Sequence, residues 1–123
     1  MSWVLSAGAF LAMTAVMLGA FAAHGLKGRL EENMMSAFQT AVQYQLWHSL
    51  ALILLVALYR HQPQPMLQWS AISILVGVIL FSGSLYLLAL TGVRGFGPIT
   101  PIGGVAMIIG WFLLLIASVR SGL

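Results

Sequence analysis

The sequence predicts an all-α fold, an integral membrane bundle of four antiparallel transmembrane helices, and three observations predict it. Of 123 residues, 61% are hydrophobic and only 6% charged, where a soluble domain carries about 25% charged residues. A chain so short of charge has no polar coat to present to water, so its solvent is lipid. Four apolar runs of membrane-crossing length, roughly 20 residues each, use up the chain and leave room for one domain only. Between the runs stand helix stop and start signals: Gly25, the pair Pro63 and Pro65, and Thr100-Pro101.

The first helix runs from about Trp3 to Ala23 and carries no charge. Gly8, Ala12, Ala15, Gly19 and Ala23 recur every three or four residues, a stripe of small side chains that lets backbones approach closely in lipid. Ala20-Phe21-Ala22 resembles a signal-peptidase site. No Lys or Arg precedes it, however, and the apolar run is longer than a signal core, so this segment is expected to be a retained helix. In the following His24-Gly25-Leu26-Lys27-Gly28-Arg29, Gly25 suits a helix stop and Lys27 a headgroup anchor. Glu31-Glu32-Asn33 then favours a helix start, because acids suit the positive end of the helix dipole.

The second helix is expected from Leu30 or Glu32 to Tyr59, about 28 residues or roughly 42 Å at 1.5 Å per residue. It exceeds the core thickness of about 30 Å, which places its first two turns in the interface. Arg60-His61-Gln62-Pro63-Gln64-Pro65 is a polar turn whose prolines stop the helix. A third helix, from about Leu67 to Leu90, carries Ser70, Ser73, Gly77 and Ser84 on one face. The glycine-rich stretch from Thr91 to Ile99 leads to Thr100-Pro101, read as N-cap and first helical residue. The fourth helix reaches about Val119, with Gly103, Ala106, Gly110 and Ala117 as its small-residue stripe. The two halves of the chain do not repeat each other in the manner of many transporters.

The net charge of +3 comes from Lys27, Arg29, Arg60, Arg94 and Arg120 against Glu31 and Glu32. Basic residues scattered over separate loops form no patch for nucleic acid; they suit headgroup level, where long cationic side chains snorkel. With no Cys, there is no disulfide, thiolate metal site or lipidated thiol. Lys27, Arg29 and Arg94 lie at one end and Arg60 and Arg120 at the other. That slight excess predicts a multi-pass protein of the cytoplasmic (inner) membrane with both termini outside the cytoplasm.

The chemistry concentrates in the first half of the second helix. At 100° per residue, Ser36, Gln39, Thr40, Gln43, Tyr44, Trp47 and His48 fall within one half of the helix and Gln45 just outside it. Polar groups in hydrocarbon must meet protein, water or headgroups. These side chains therefore either bond neighbouring helices or line a wet cleft for a small ligand or lipid headgroup. His48 is the deepest ionisable residue and the default functional candidate. The candidate ligand-binding residues are His24, Gln43, Tyr44, Trp47, His48 and Arg94. Arg94, the flexible loop and the start of the fourth helix could hold an anion such as a lipid phosphate, or simply permit close helix packing.

Other chemistry is expected to be absent. His24 and His48 differ in depth by about 12 Å, which disfavours haem, and they have no Cys or buried acid to complete a metal site. No catalytic set is expected either: the chain has no Asp, which excludes a Ser-His-Asp triad. His48 and Ser49 point about 100° apart on a helix. No carboxylate lies inside a span, so the usual group for proton coupling is missing.

Gly19-Ala20-Phe21-Ala22-Ala23-His24-Gly25-Leu26, then Tyr44 to His48, Phe81-Ser82-Gly83-Ser84-Leu85-Tyr86, Thr100-Pro101-Ile102-Gly103-Gly104 and Gly110-Trp111 follow one another in an order that resembles the transmembrane protein 256 family. Bacterial members of that family are catalogued as a domain of unknown function. Ala22 departs from the pattern, which has Gly there. The resemblance covers nearly the whole chain and implies a four-helix inner-membrane protein without implying an activity. It also singles out His24 and His48. The leading expectation is a non-enzymatic protein that binds a membrane lipid, small amphiphile or partner helix through the polar face. A small transporter or channel-like oligomer, and a membrane enzyme using a histidine acid or base, are the alternatives. The stripe on the first helix also permits a homo-oligomer.

Overall fold

The computed structural model describes residues 1–123 and contains four long helices, one short 3-10 turn and no strand. The helices are α1 (Ser2–His24), α2 (Glu32–His61), α3 (Pro65–Thr91) and α4 (Ile99–Ser121), with the 3-10 turn at Arg94–Phe96 between α3 and α4. All four are long and apolar enough to cross a membrane. At 30 residues, α2 is about 45 Å long and overhangs a hydrocarbon core of about 30 Å.

Helix ends follow the local chemistry, with one correction. Gly92 closes α3 at φ 72, its N–H reaching Leu88 O at 2.8 Å; glycine adopts this left-handed conformation without strain. Pro65 opens α3 in its first turn, where its missing N–H costs nothing. The start of α4 differs from expectation: Pro98 is the N-cap and Thr100 already lies inside the helix. The Thr100 hydroxyl bonds Ser84 Oγ on α3 at 2.5 Å instead of capping. Pro98 has a helical φ of −64, and Pro101 still falls among the first four residues, whose N–H groups have no intrahelical acceptor.

The helices pack in chain order, α1 on α2, α2 on α3 and α3 on α4, so α2 and α3 are the inner members. In each adjacent pair, residue numbers rise along one helix as they fall along the other. Gly8 lies against Ser49 and Leu52, and Gly19 against Val42. Ser82 Oγ donates to Ala41 O at 2.8 Å, and Gln68 Nε2 to Tyr59 Oη at 3.1 Å. Ser70 Oγ donates to Gly110 O at 2.6 Å.

The larger core joins residues of all four helices, among them Val4, Leu52, Leu55, Ile74, Met107 and Ala117. A smaller one, of Ala22, Leu26, Phe38 and Ala89, draws only on α1, its following loop, α2 and α3. Much of the small-residue stripes is spent inside the chain, although Gly19 and Ala23 of α1 stay at the surface. Gly8 admits α2, and Gly77, Gly103 and Gly110 bring α3 and α4 into backbone contact. In lipid, where apolar burial drives little, such close contact is a main source of helix association.

Candidate functional site

The structure distributes the polar residues of this part of α2 over three surfaces. The first is inward and belongs to Gln45, which is 4% exposed. Its Nε2 donates to Leu11 O at 2.9 Å and to Thr14 Oγ1 at 2.7 Å, and its Oε1 accepts from Tyr86 Oη at 2.6 Å. One carboxamide thus ties α1, α2 and α3, with donors and acceptor all matched.

The second surface holds Tyr44, Trp47 and His48. Tyr44 stacks on His48 with centroids 5.8 Å apart, and lies 5.4 Å from Trp47 and 4.6 Å from Phe81 of α3. His48 is buried, with Nδ1 2.8 Å from Tyr44 O and Nε2 3.0 Å from Trp111 Nε1. The partners dictate the tautomer. A carbonyl only accepts and an indole N–H only donates, so Nδ1 carries the proton and Nε2 accepts. Both ring nitrogens are engaged, and the imidazole connects α2 to α4 across the bundle. This geometry is that of a structural tie; it presents no free nitrogen to a substrate.

The third surface faces outward, along the seam between α1 and α2. Gly19, Ala22, Ala23, Gln39, Val42 and Gln43 line a groove of about 350 Å³. Gln39 also lines a recess of about 460 Å³ with Lys27, Glu32 and Ser36 among its walls, so that side chain borders both hollows. The groove exists because Gly19, Ala22 and Ala23 give α1 almost no side-chain relief opposite Gln39 and Gln43. Both glutamines are exposed and, unlike Gln45, make no hydrogen bond within the chain. A separate groove of about 310 Å³, between α3 and α4 beside Gly83, Leu87 and Phe96, is almost wholly apolar.

Of the six residues singled out from the sequence, the structure brings together Tyr44, Trp47 and His48 and holds the others apart from them. Gln43 turns to the α1–α2 groove. His24 ends α1 and Arg94 opens the 3-10 turn, and both are exposed. Thr14, Gln45, Phe81, Tyr86 and Trp111 were not legible as site residues. Gln45 falls just outside the half-face by periodicity, and nothing local in the chain pairs residue 48 with residue 111. Nowhere do three or more His, Asp or Glu side chains converge as a metal site would need.

A family model described as a protein of unknown function (DUF423) matches residues 18–104, which contain the whole of the α1–α2 groove. A UPF0382 membrane protein of Staphylococcus epidermidis is 48% identical over 113 residues, 92% of each chain. One from Staphylococcus aureus is 45% identical, again over 92% of each chain. The UPF0382 membrane protein YwdK of Bacillus subtilis is 40% identical over 92% of this chain and 93% of its own. No solved structure matches the chain.

Proposed function

Since the chain belongs to the DUF423 family of membrane proteins, whose function is unknown, its activity must be read from its own surfaces, and we propose that it is a binding protein of the cytoplasmic membrane that holds the polar head of a membrane amphiphile in the groove between α1 and α2. The observation that carries this reading is the pair Gln39 and Gln43. Each leaves a carboxamide exposed on a membrane helix with no partner in the chain, and each lines the same groove. An unpartnered polar group in hydrocarbon costs several kcal/mol. Two turns of overhang place Glu32 and Ser36 among headgroups; Gln43 lies about 6 Å deeper than Gln39 along the helix. A headgroup entering the groove from the interface would satisfy both carboxamides, while its chains follow the small-residue wall of α1.

Native mass spectrometry of protein purified in mild detergent tests this. The wild type should retain a lipid, and Gln39→Leu/Gln43→Leu should lose at least about tenfold of it, the factor that corresponds to ~1.4 kcal/mol. His48→Ala, outside the groove, should retain it. A bare wild type, or a lipid indifferent to the double substitution, would sink the reading. A glutamine-dependent dimer would put a second helix where the headgroup is proposed.

The same proposal sets the groove's open end, with Lys27, Arg29 and Arg94, toward the cytoplasm and both termini outside. The natural absence of Cys makes this simple to check with a membrane-impermeant maleimide. Ser2→Cys should label in intact cells and Gly95→Cys only after permeabilisation; the reverse pattern would invert the topology.

A further inference from the structure

Resting on that groove, we infer that the head it takes is zwitterionic, a phosphodiester joined to a primary ammonium, as in phosphatidylethanolamine. The recess that shares Gln39 with the groove carries one cation and one anion, Lys27 from the α1–α2 loop and Glu32 from the first turn of α2. Both are exposed, and no ion pair joins them to each other. A purely anionic lipid would meet Lys27 favourably but bring its charge toward Glu32. A head that carries both signs satisfies both walls.

Two further walls, Ser36 and Gln39, match the same chemistry, beside the apolar Leu30 and Met35. The Ser36 hydroxyl can donate to a phosphate oxygen, and the Gln39 carboxamide can donate through Nε2 or accept through Oε1. An ammonium with N–H groups can bond Glu32 and Gln39 Oε1 directly, whereas a quaternary choline has no N–H to donate. Charge-assisted bonds of this kind are about twice as strong as neutral ones, so the recess should rank a primary ammonium above both choline and glycerol heads. Gly28, itself a wall of the recess, turns the loop at φ 81.

The test is competition among phosphatidylethanolamine, phosphatidylcholine and phosphatidylglycerol of the same acyl chains, added in detergent to the delipidated full chain and read by native mass spectrometry. Wild type should favour the ethanolamine lipid about tenfold over either competitor, the factor that one charge-assisted hydrogen bond supplies. Glu32→Gln should erase that preference and raise phosphatidylglycerol. Lys27→Gln should weaken all three. Glu31→Gln and Arg29→Gln make the same charge changes at neighbours that do not line the recess, and should leave the ranking unchanged. Soluble glycerophosphoethanolamine in excess should displace the lipid only weakly if the chains contribute; complete displacement would identify a free headgroup as the ligand and overturn the lipid assignment. Equal retention of all three lipids by wild type, still lost in Gln39→Leu/Gln43→Leu, would overturn the zwitterion inference and leave the groove standing. No retention of any lipid would remove the groove reading itself.

Discussion

Gly103→Ala should destabilise the protein by roughly 3 kcal/mol, the upper part of the usual range for overpacking, and Gly103→Leu should prevent α3 and α4 from packing at all. A Cβ at Gly103 would fall on the backbone nitrogen of Phe81 and lie 2.8 Å from Gly77 O. Both obstacles are helix backbone, which has no rotamer by which to step aside. Gly77 is equally closed, with the Met107 backbone nitrogen 2.7 Å from its Cβ position. Two controls isolate the cause. Gly104→Ala changes the next residue, where the nearest atom is Phe81 Cδ2 at 3.8 Å, and Gly83→Ala meets nothing within 4 Å. Both should stay within about 0.5 kcal/mol of wild type or gain slightly, since alanine is the better helix former. Thermal unfolding in one detergent compares all of these, and equal midpoints for Gly103→Ala and Gly104→Ala would refute the proposed backbone contact.

Gln45→Leu should cost about 2–3 kcal/mol. Side-chain hydrogen bonds between membrane helices average about 0.6 kcal/mol and reach about 1.7, and this residue makes three, to Leu11 O, Thr14 Oγ1 and Tyr86 Oη. Removing it also strands the half-buried Tyr86 hydroxyl, which adds a desolvation cost. Gln43→Leu is the same chemical change two residues away and should shift stability by less than about 0.5 kcal/mol, while removing bound lipid. Tyr86→Phe should reproduce part of the Gln45 effect, and the double variant should show that the two are coupled rather than additive. If Gln43→Leu destabilises as much as Gln45→Leu, the division into an inward, structural glutamine and outward, ligand-facing ones is wrong.

That division marks the limit of what periodicity conveys. Counting at 100° per residue identified a polar half of α2 and left Gln45 at its edge. A helix in the middle of a row has two neighbours, however, so its polar residues serve two packing faces and one outward face. Gln39, Gln43 and Gln45 are chemically identical and lie two to six positions apart, yet one is a tripod between helices and two are free. Likewise His48 reads from the chain as the deepest titratable group. Trp111, 63 positions away, turns it into a tie between α2 and α4. Thr100-Pro101 has the local form of a helix start, but α4 starts at Ile99 and the Thr100 hydroxyl pairs with Ser84 on α3.

Composition and the spacing of stop signals were enough to determine a membrane protein of four helices, their limits to within a few residues, and the stripes of glycine, alanine and serine on which they pack. These follow from solvent and backbone alone: lipid demands that each span satisfy its own hydrogen bonds and present apolar side chains. The tertiary structure alone decided which polar residues face protein and which face outward, that His48 is engaged at both nitrogens, and that the open polar surface lies between α1 and α2. Those outcomes depend on pairings between residues about 30 to 60 positions apart, such as Gln45 with Thr14 and His48 with Trp111. Such pairings are set by how whole helices pack, and no local stretch of the chain encodes them.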